Sequence, residues 1–470
     1  MLFALITVGL ILFTFLLLSL KESYAYYFLI FIATFSQSMP ILSIGTRSIN
    51  LGMDTLVIIC IIVWHFSKRP KRREKSIFIF NKLTIIVLIW AVWNTFTVLI
   101  SAITNYQPKQ SIECLVVLMR WLQYLPIFFI VSKGKLDEIQ IKRLLYFLAL
   151  TALLASVIGL NEFFTGLNFR TFKGISSFTR PIFREQNLED YIDPISGAYT
   201  GEANSNVVGA YFVLVISIFL PFILKRKKLL GYLFLGILLL ANILTFSKVS
   251  NIAAFIIVSI GLFSFSKRKL IGSILLVAPI VAILASQILS FRLIKNIFDL
   301  CLNIWVVAPM VLNGQHWQLN SPYGAGVFGA AQRLIGIQEA LKIFIQSPIW
   351  GCGYNGFKFL GINMFTADDF YLQTLAETGL VGFFLMIIFH ISLLRLSFQN
   401  KSFALNINNS FFALFKTGFS YALLTMIIVN LTSGIFYIQK IWGPFIIIAG
   451  ILLNYKNKNT QMSTTSHYSS

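Results

Sequence analysis

The feature that most constrains this chain is a succession of apolar runs, most of them near the roughly 20 residues that cross about 30 Å of hydrocarbon. They occupy about Leu2 to Leu20, Tyr24 to Leu42, Leu51 to Trp64, Ile77 to Ile103, Cys114 to Val131, Leu144 to Phe164, Asn206 to Leu224, Leu229 to Phe246, Asn251 to Phe265, Leu270 to Leu289, Gly379 to Leu394, Phe411 to Leu431 and Tyr437 to Leu453. The first run has no basic region before it and no small-residue cleavage site, so it reads as a spanning helix rather than a cleaved signal peptide. The expected fold is all-α: a polytopic transmembrane helical protein with about 12–13 spans and two long extracytoplasmic loops, the second containing amphipathic helices.

Composition supports this class. With 57% hydrophobic and 12% charged residues, a soluble domain of this chain lacks the polar surface to cover itself. The net charge of +21 would suit nucleic acid, but the basic residues sit in short clusters between apolar runs, as at the cytoplasmic ends of helices. No nucleic-acid partner is expected; the bilayer is.

Orientation follows from those clusters. Lys68 to Lys75, Lys133 to Arg143, Lys225 to Lys228 and Lys267 to Lys269 recur at alternate gaps, so all can face the cytoplasm together. The expected organisation is residues 1–164, N-terminal transmembrane helices; 165–205, first extracytoplasmic loop; 206–290, central transmembrane helices; 291–378, large extracytoplasmic loop; 379–453, C-terminal transmembrane helices; and 454–470, a disordered cytoplasmic tail. No soluble catalytic domain is long enough to stand alone. Chemistry must therefore be built from outer loops and helix ends.

Four cysteines without CxxC or His/Cys ligand spacing provide no metal or redox pattern, and no metal or cofactor is expected. Cys60 and Cys114 fall in apolar runs, where a small buried hydrophobe is the ordinary use. Cys301 and Cys352 both fall outside the membrane, so a disulfide between them is open.

The first outer loop carries Arg170, Lys173, Arg180 and Arg184, although outer loops are normally poor in Arg and Lys. Guanidinium forks match phosphate oxygens, so a diphosphate at the membrane surface is one partner; pairing with Glu185, Glu189, Asp190 and Asp193 is the other reading. Asn204 and Asn206, with Glu202, suit sugar hydroxyls or equally a turn and a helix cap. Lys248, beside Ser247, stands between two apolar runs in polar surroundings, where an interfacial cation is a functional candidate. His316 is the one histidine expected outside; by residue type it is a candidate base, and next to Trp317 in a Gly/Asn-rich loop it equally suits a surface contact.

The clearest departure from membrane-spanning texture runs from Arg333 to Gly382. An amphipathic segment, Arg333 to Gln346, is stopped by Ser347 and Pro348, and glycines follow at 351, 353 and 356, where backbone can approach a ligand closely. Asp368 and Asp369 then open a helix on which Asp369, Gln373 and Glu377, four apart, share one side. Adjacent acids exceed what capping requires, although Thr366 with Asp369 also fits a capping box.

The order of basic outer loop, ANSNVVGAYF, TFSKVSNIAAF, RLIGIQEALKIFIQSPIWGCGYNGF and ADDFYLQTLAETGLVG resembles the O-antigen ligase/polymerase family of bacterial membrane proteins, over about Ala203 to Phe384. The resemblance implies an all-helical, metal-independent glycosyltransferase of the bacterial cytoplasmic (inner) membrane. It would use a polyprenyl-diphosphate-linked oligosaccharide outside the cytoplasm, with a chain-length regulator and a flippase as further partners. The family's Ser-Arg element matches Ser247 and Lys248, with Lys in place of Arg, and the large-loop Arg matches Arg333. Ligases carry a His-Asn pair where this chain has Asp368 and Asp369, which favours a repeat-unit polymerase for O-antigen, capsular or exopolysaccharide over a ligase to lipid A-core or protein. A transporter is the weakest reading, because no inverted repeats are evident. The expected catalytic residues are Asp368, Asp369, Arg333 and Lys248. Those expected on the substrate are Arg170, Arg180, Arg184, Asn204, Asn206, Ser247, His316, Gln373 and Glu377.

Overall fold

The computed structural model describes residues 2–35, 38–44, 47–67, 82–104, 108–134, 136–165, 168–169, 178–179, 205–245, 247–265, 336–360, 369–398, 411–431 and 441–454. Outside these residues fall Arg170, Arg180, Arg184, Asn204, Cys301, His316, Arg333 and Asp368, the apolar run at 270–289, the basic clusters at 68–75 and 267–269, and the tail beyond 454.

The described chain is helical. In order come α1 (Leu2–Leu20), α2 (Glu22–Phe35), α3 (Met53–Ser67), α4 (Lys82–Thr104), α5 (Pro108–Leu122), α6 (Tyr124–Lys133), α7 (Glu138–Thr165), α8 (Ser205–Arg226), α9 (Leu229–Leu244) and α10 (Lys248–Phe265). Then come α11 (336–346), α12 (Phe370–Phe398), α13 (Phe411–Asn430) and α14 (Ile441–Asn454). Six segments among the described residues are long and apolar enough to cross a membrane: Lys82–Thr104, Gln110–Lys133, Glu138–Asn161, Asn206–Arg226, Phe370–Ser397 and Phe411–Asn430. Shorter apolar helices stand beside them, and together they make a polytopic helical membrane protein.

Two details depart from the expected helices. The run expected to continue to Leu42 ends as α2 at Phe35, and Ser38–Ile44 (β1) pairs antiparallel with Arg47–Gly52 (β2). Pro40 is the reason, since it cannot donate within a helix and is tolerated at an irregular strand position; the pairing shifts register between Pro40 and Leu42. A second hairpin pairs Asn168–Phe169 (β3) with Phe178–Thr179 (β4). The run expected from Cys114 to Val131 is broken at Gln123 into α5 and α6. There Tyr124 Oη and Gln123 Nε2 (3.3 Å) both donate to Asp54, a fully buried carboxylate in the first turn of α3.

Helix α8 is the axis of the bundle, because almost all of its apolar length is covered. Without water to drive helices together, close backbone approach and interhelical hydrogen bonds hold them. On α13, a Cβ at Gly418 would sit 2.3 Å from Ile218 O of α8, so only glycine admits that crossing. Two turns further along α13, the Thr425 hydroxyl meets Ser217 Oγ of α8 at 2.8 Å. Trp90, Trp121 and Trp442 bring α4, α5 and α14 together, with ring centroids 4.8 and 5.1 Å apart.

Contacts sort the helix ends. Tyr27 donates to Gln140 O, Lys142 lies over the Phe411 ring, Phe411 packs on Phe222, and Asn454 donates to Val131 O. These bring the start of α7, the start of α13 and the end of α8 to one end of the bundle, and with them the basic residues Arg143, Lys225 and Arg226. The opposite end of the antiparallel pair α12 and α13 carries Tyr371, whose hydroxyl donates to Ile427 O at 3.3 Å.

Candidate functional site

Helix α12 is broken. Gly379 has φ 67° and ψ −171°, a conformation essentially confined to glycine. The break separates a polar first segment, 370–378, from the continuous apolar run that begins at the same glycine. Breaking a helix frees carbonyls and amides that need partners. The glycine-rich turn at 347–356 supplies them: Cys352 N donates to Ala376 O (2.9 Å), Gly353 N to Glu377 O (2.7 Å), and Leu380 N to Pro348 O (2.9 Å). Thr378 O is met from another direction by Trp93 Nε1 of α4, at 2.9 Å.

The turn can come this close because its glycines carry no Cβ. At Gly353, with φ 91°, a Cβ would stand 2.7 Å from Ser101 Oγ of α4 and 3.1 Å from Thr97 O. Helix α11 closes the other side. Its Ala340 and Ile343 form a small apolar cluster with Cys352, Phe357 and Ala376, separate from the bundle core. The expected amphipathic segment is thus a helix whose apolar side seats the turn, while Gln338, Lys342 and Gln346 face away. Cys352 is buried, with its Sγ 3.9 Å from Gly353 O.

Beneath this turn lie two of the expected site residues. Glu377 is 1% exposed and Gln373 4%. One carboxylate oxygen of Glu377 accepts from Gln373 Nε2 (2.9 Å) and the other from Asn355 N (2.8 Å). The spacing of four does place both on one side of the helix, as the sequence reading required. The side faces the turn rather than open surface, however, and Glu377 braces the turn from below.

Asp369 stands at the mouth of the helix. Its Oδ1 accepts from Tyr371 N (2.8 Å) and Leu372 N (3.2 Å), so it is the N-cap, where its negative charge also suits the helix dipole. Half-burial raises its pKa above the ordinary aspartate value, and the two backbone hydrogen bonds oppose that rise only in part. Among the described residues no hydrogen bond reaches Oδ2, which leaves an acceptor with enhanced basicity at the rim.

The residues expected on the middle helices form a different turn. Ser247 precedes the first residue of α10, Lys248, and its hydroxyl bonds Ser250 Oγ (2.9 Å). Around it Asn242 Nδ2 donates to Asn251 Oδ1 (2.8 Å), and the turn is seated against Gly209 of α8. Ser247 is buried and acts as a helix cap. Asn206 is the partly buried second residue of α8. The structure therefore brings Asp369, Gln373 and Glu377 together on one helix segment. It joins the Ser247 turn to them by no hydrogen bond among the described residues.

The sequence reading missed Trp93, Thr97, Ser101 and Asn355. A signal existed for the α4 residues: Asn94, Thr97 and Ser101 recur at helical spacing within an otherwise apolar span.

The fold and this arrangement define a polytopic membrane protein in which a polar loop is locked onto a broken helix at one end of the bundle. Residues 233–387 match the family model described as O-antigen ligase, a match that contains the Ser247 turn, α11, the glycine turn and the break in α12. It supports the O-antigen ligase/polymerase family for this chain, a family of glycosyltransferase-type enzymes. No curated protein matches the chain. Among the described residues no group of His, Cys, Asp and Glu side chains could hold a metal ion.

Proposed function

We propose that this protein is an oligosaccharide repeat-unit polymerase that takes glycan from a polyprenyl-diphosphate donor at the outer face of the cytoplasmic membrane. The observation that carries the reading is Asp369, a half-buried carboxylate whose Oδ2 no hydrogen bond reaches among the described residues, at the mouth of the polar helix segment inside the family-matched residues. The basic end of the bundle is read as cytoplasmic by the positive-inside rule, which turns the glycine turn and Asp369 outward.

The reaction is a single displacement. An acceptor hydroxyl attacks the anomeric carbon, the bond from that carbon to the diphosphate oxygen breaks, and the hydroxyl proton passes to Asp369. Asp368 is the neighbouring candidate for that role. The diphosphate leaves as an anion, so no acid is required, and cations stabilise the charge that develops on it. Lys248, Arg333 and the loop arginines Arg170, Arg180 and Arg184 are assigned that task by residue type, and His316 with Asn204 and Asn206 the glycan hydroxyls. Metal independence belongs to this proposal, as does the donor.

A ligase shares every one of these steps and differs in the acceptor. Lipid-linked glycans in a deletion strain distinguish the two: single units accumulate if a polymerase is lost, and finished long glycan accumulates if a ligase is lost. Complementation with Arg333→Ala or Asp369→Asn is expected to leave the deletion phenotype in place. Full polymer from either variant removes that residue from the scheme.

A further inference from the structure

Helix α4 lies wholly outside the family-matched residues 233–387, yet it touches both halves of the lock between the turn and α12. Trp93 satisfies the Thr378 carbonyl freed by the break, and its ring carbon would be 3.1 Å from a Cβ at Gly382. Two turns further along, Ser101 and the Thr97 carbonyl bear directly on Gly353. The fit at Ser101 is one of volume, because its buried hydroxyl has no hydrogen-bond partner among the described residues.

We propose that Trp93 and Ser101 are positioning residues: α4 clamps the glycine turn against the break in α12 and so fixes the helix segment whose mouth carries Asp369. This rests on the transferase reading above for its activity arm. Neither side chain is assigned a contact with substrate. Their effect is to hold Glu377, the turn and the first turn of α12 in one arrangement, so their loss should slow turnover without weakening donor binding.

Cys352 reports the clamp independently of catalysis, because it lies in the turn and is 1% exposed. The experiment uses the full chain with Cys60, Cys114 and Cys301 replaced by Ala, labelled in intact cells with a membrane-impermeant maleimide. Trp93→Phe keeps an aromatic side chain but removes the five-membered ring and with it the N–H that bonds Thr378 O; Ser101→Leu adds volume against Gly353. Trp93→Phe is expected to speed Cys352 labelling about 3- to 10-fold, the equilibrium effect of one lost hydrogen bond, and Ser101→Leu, whose added volume displaces Gly353, by at least as much. Val92→Ala, on the exposed side of the same helix, is the reference, and Ser101→Ala, which keeps the small volume, is expected to stay near it. With the host's own lipid-linked glycan as substrate, Trp93→Phe and Ser101→Leu are expected to lower kcat by a similar factor at unchanged KM.

Labelling of both variants at the Val92→Ala rate overturns the clamp. Faster labelling with unchanged kcat overturns the positioning role, as does a loss confined to KM. Should the parent chain transfer no glycan at all, the transferase reading fails and the positioning role with it, while the labelling rates still decide whether α4 holds the turn. Monodisperse yield after detergent extraction separates a released turn from an unfolded chain, and Trp93→Phe, which stays aromatic and adds no volume, is the variant expected to keep it.

Discussion

Gly379→Ala is the sharpest perturbation the structure offers. At φ 67° and ψ −171° an alanine costs about 1–3 kcal/mol in backbone conformation alone. Its Cβ would also sit 2.1 Å from Ile349 O and 2.3 Å from Ile349 C, both backbone atoms with no flexible side chain to yield. The chain can escape only by lifting the turn, which forfeits the bonds from Cys352 N, Gly353 N and Leu380 N, each worth about 1 kcal/mol net. By either route the closed arrangement loses at least about 2 kcal/mol, or roughly 30-fold in its equilibrium constant. Amide hydrogen exchange measures this directly, since Cys352 N–H and Gly353 N–H are protected only while the turn is seated. Their exchange should accelerate by about that factor while amides of α8, in the covered centre of the bundle, stay unchanged. Exchange at both within about threefold of the parent refutes the account of the break.

The other predictions follow from the same geometry. Glu377→Ala removes two hydrogen bonds to a buried carboxylate and should release the turn by about 2 kcal/mol or more, whereas Glu377→Gln retains an acceptor for Asn355 N and should release it less; equal exchange in the two variants would refute the brace. If Asp369 takes the proton, the rate should rise with pH through a midpoint above the ordinary aspartate range, and Asp369→Asn should abolish that limb while still capping the helix. The sign for stability is opposite: with the folded pKa raised, the contribution of Asp369 is fully present below the unfolded pKa and is lost as pH rises through the folded one, a slope that Asp369→Asn should remove from melting curves. Gly418→Ala forces α13 from α8 and should lower the melting temperature in detergent, with a cost of about 1–3 kcal/mol; an unchanged melting point contradicts the crossing.

Much of the fold was legible because apolar runs of spanning length have few other solutions, and the glycines at 351 and 353 and the polar spacing of Gln373 and Glu377 were visible as departures from them. Boundaries were less legible. Pro40 ends the second run early, and Pro126, which lacks the N–H that would bond Leu122 O four residues back, marks a break between α5 and α6 that the apolar texture of the run conceals. Periodicity places Gln373 and Glu377 on one side of the 370–378 segment but is silent on what covers that side, which is the glycine turn. Ser247 shows the same gap: its place beside Lys248 was plain, but its use as a buried cap emerged only from the packing of α10 against α8.

What the amino-acid order settles by itself is local. Helix formation in apolar segments, the proline that ends α2 and the glycine that permits the break at 379 depend on neighbouring residues and on backbone sterics. Which polar groups then meet is decided in three dimensions. Trp93 reaches Thr378 across 285 positions of chain, and Ser101 fills the space under Gly353, because helix packing and not sequence proximity brings a freed carbonyl and its donor within hydrogen-bond distance.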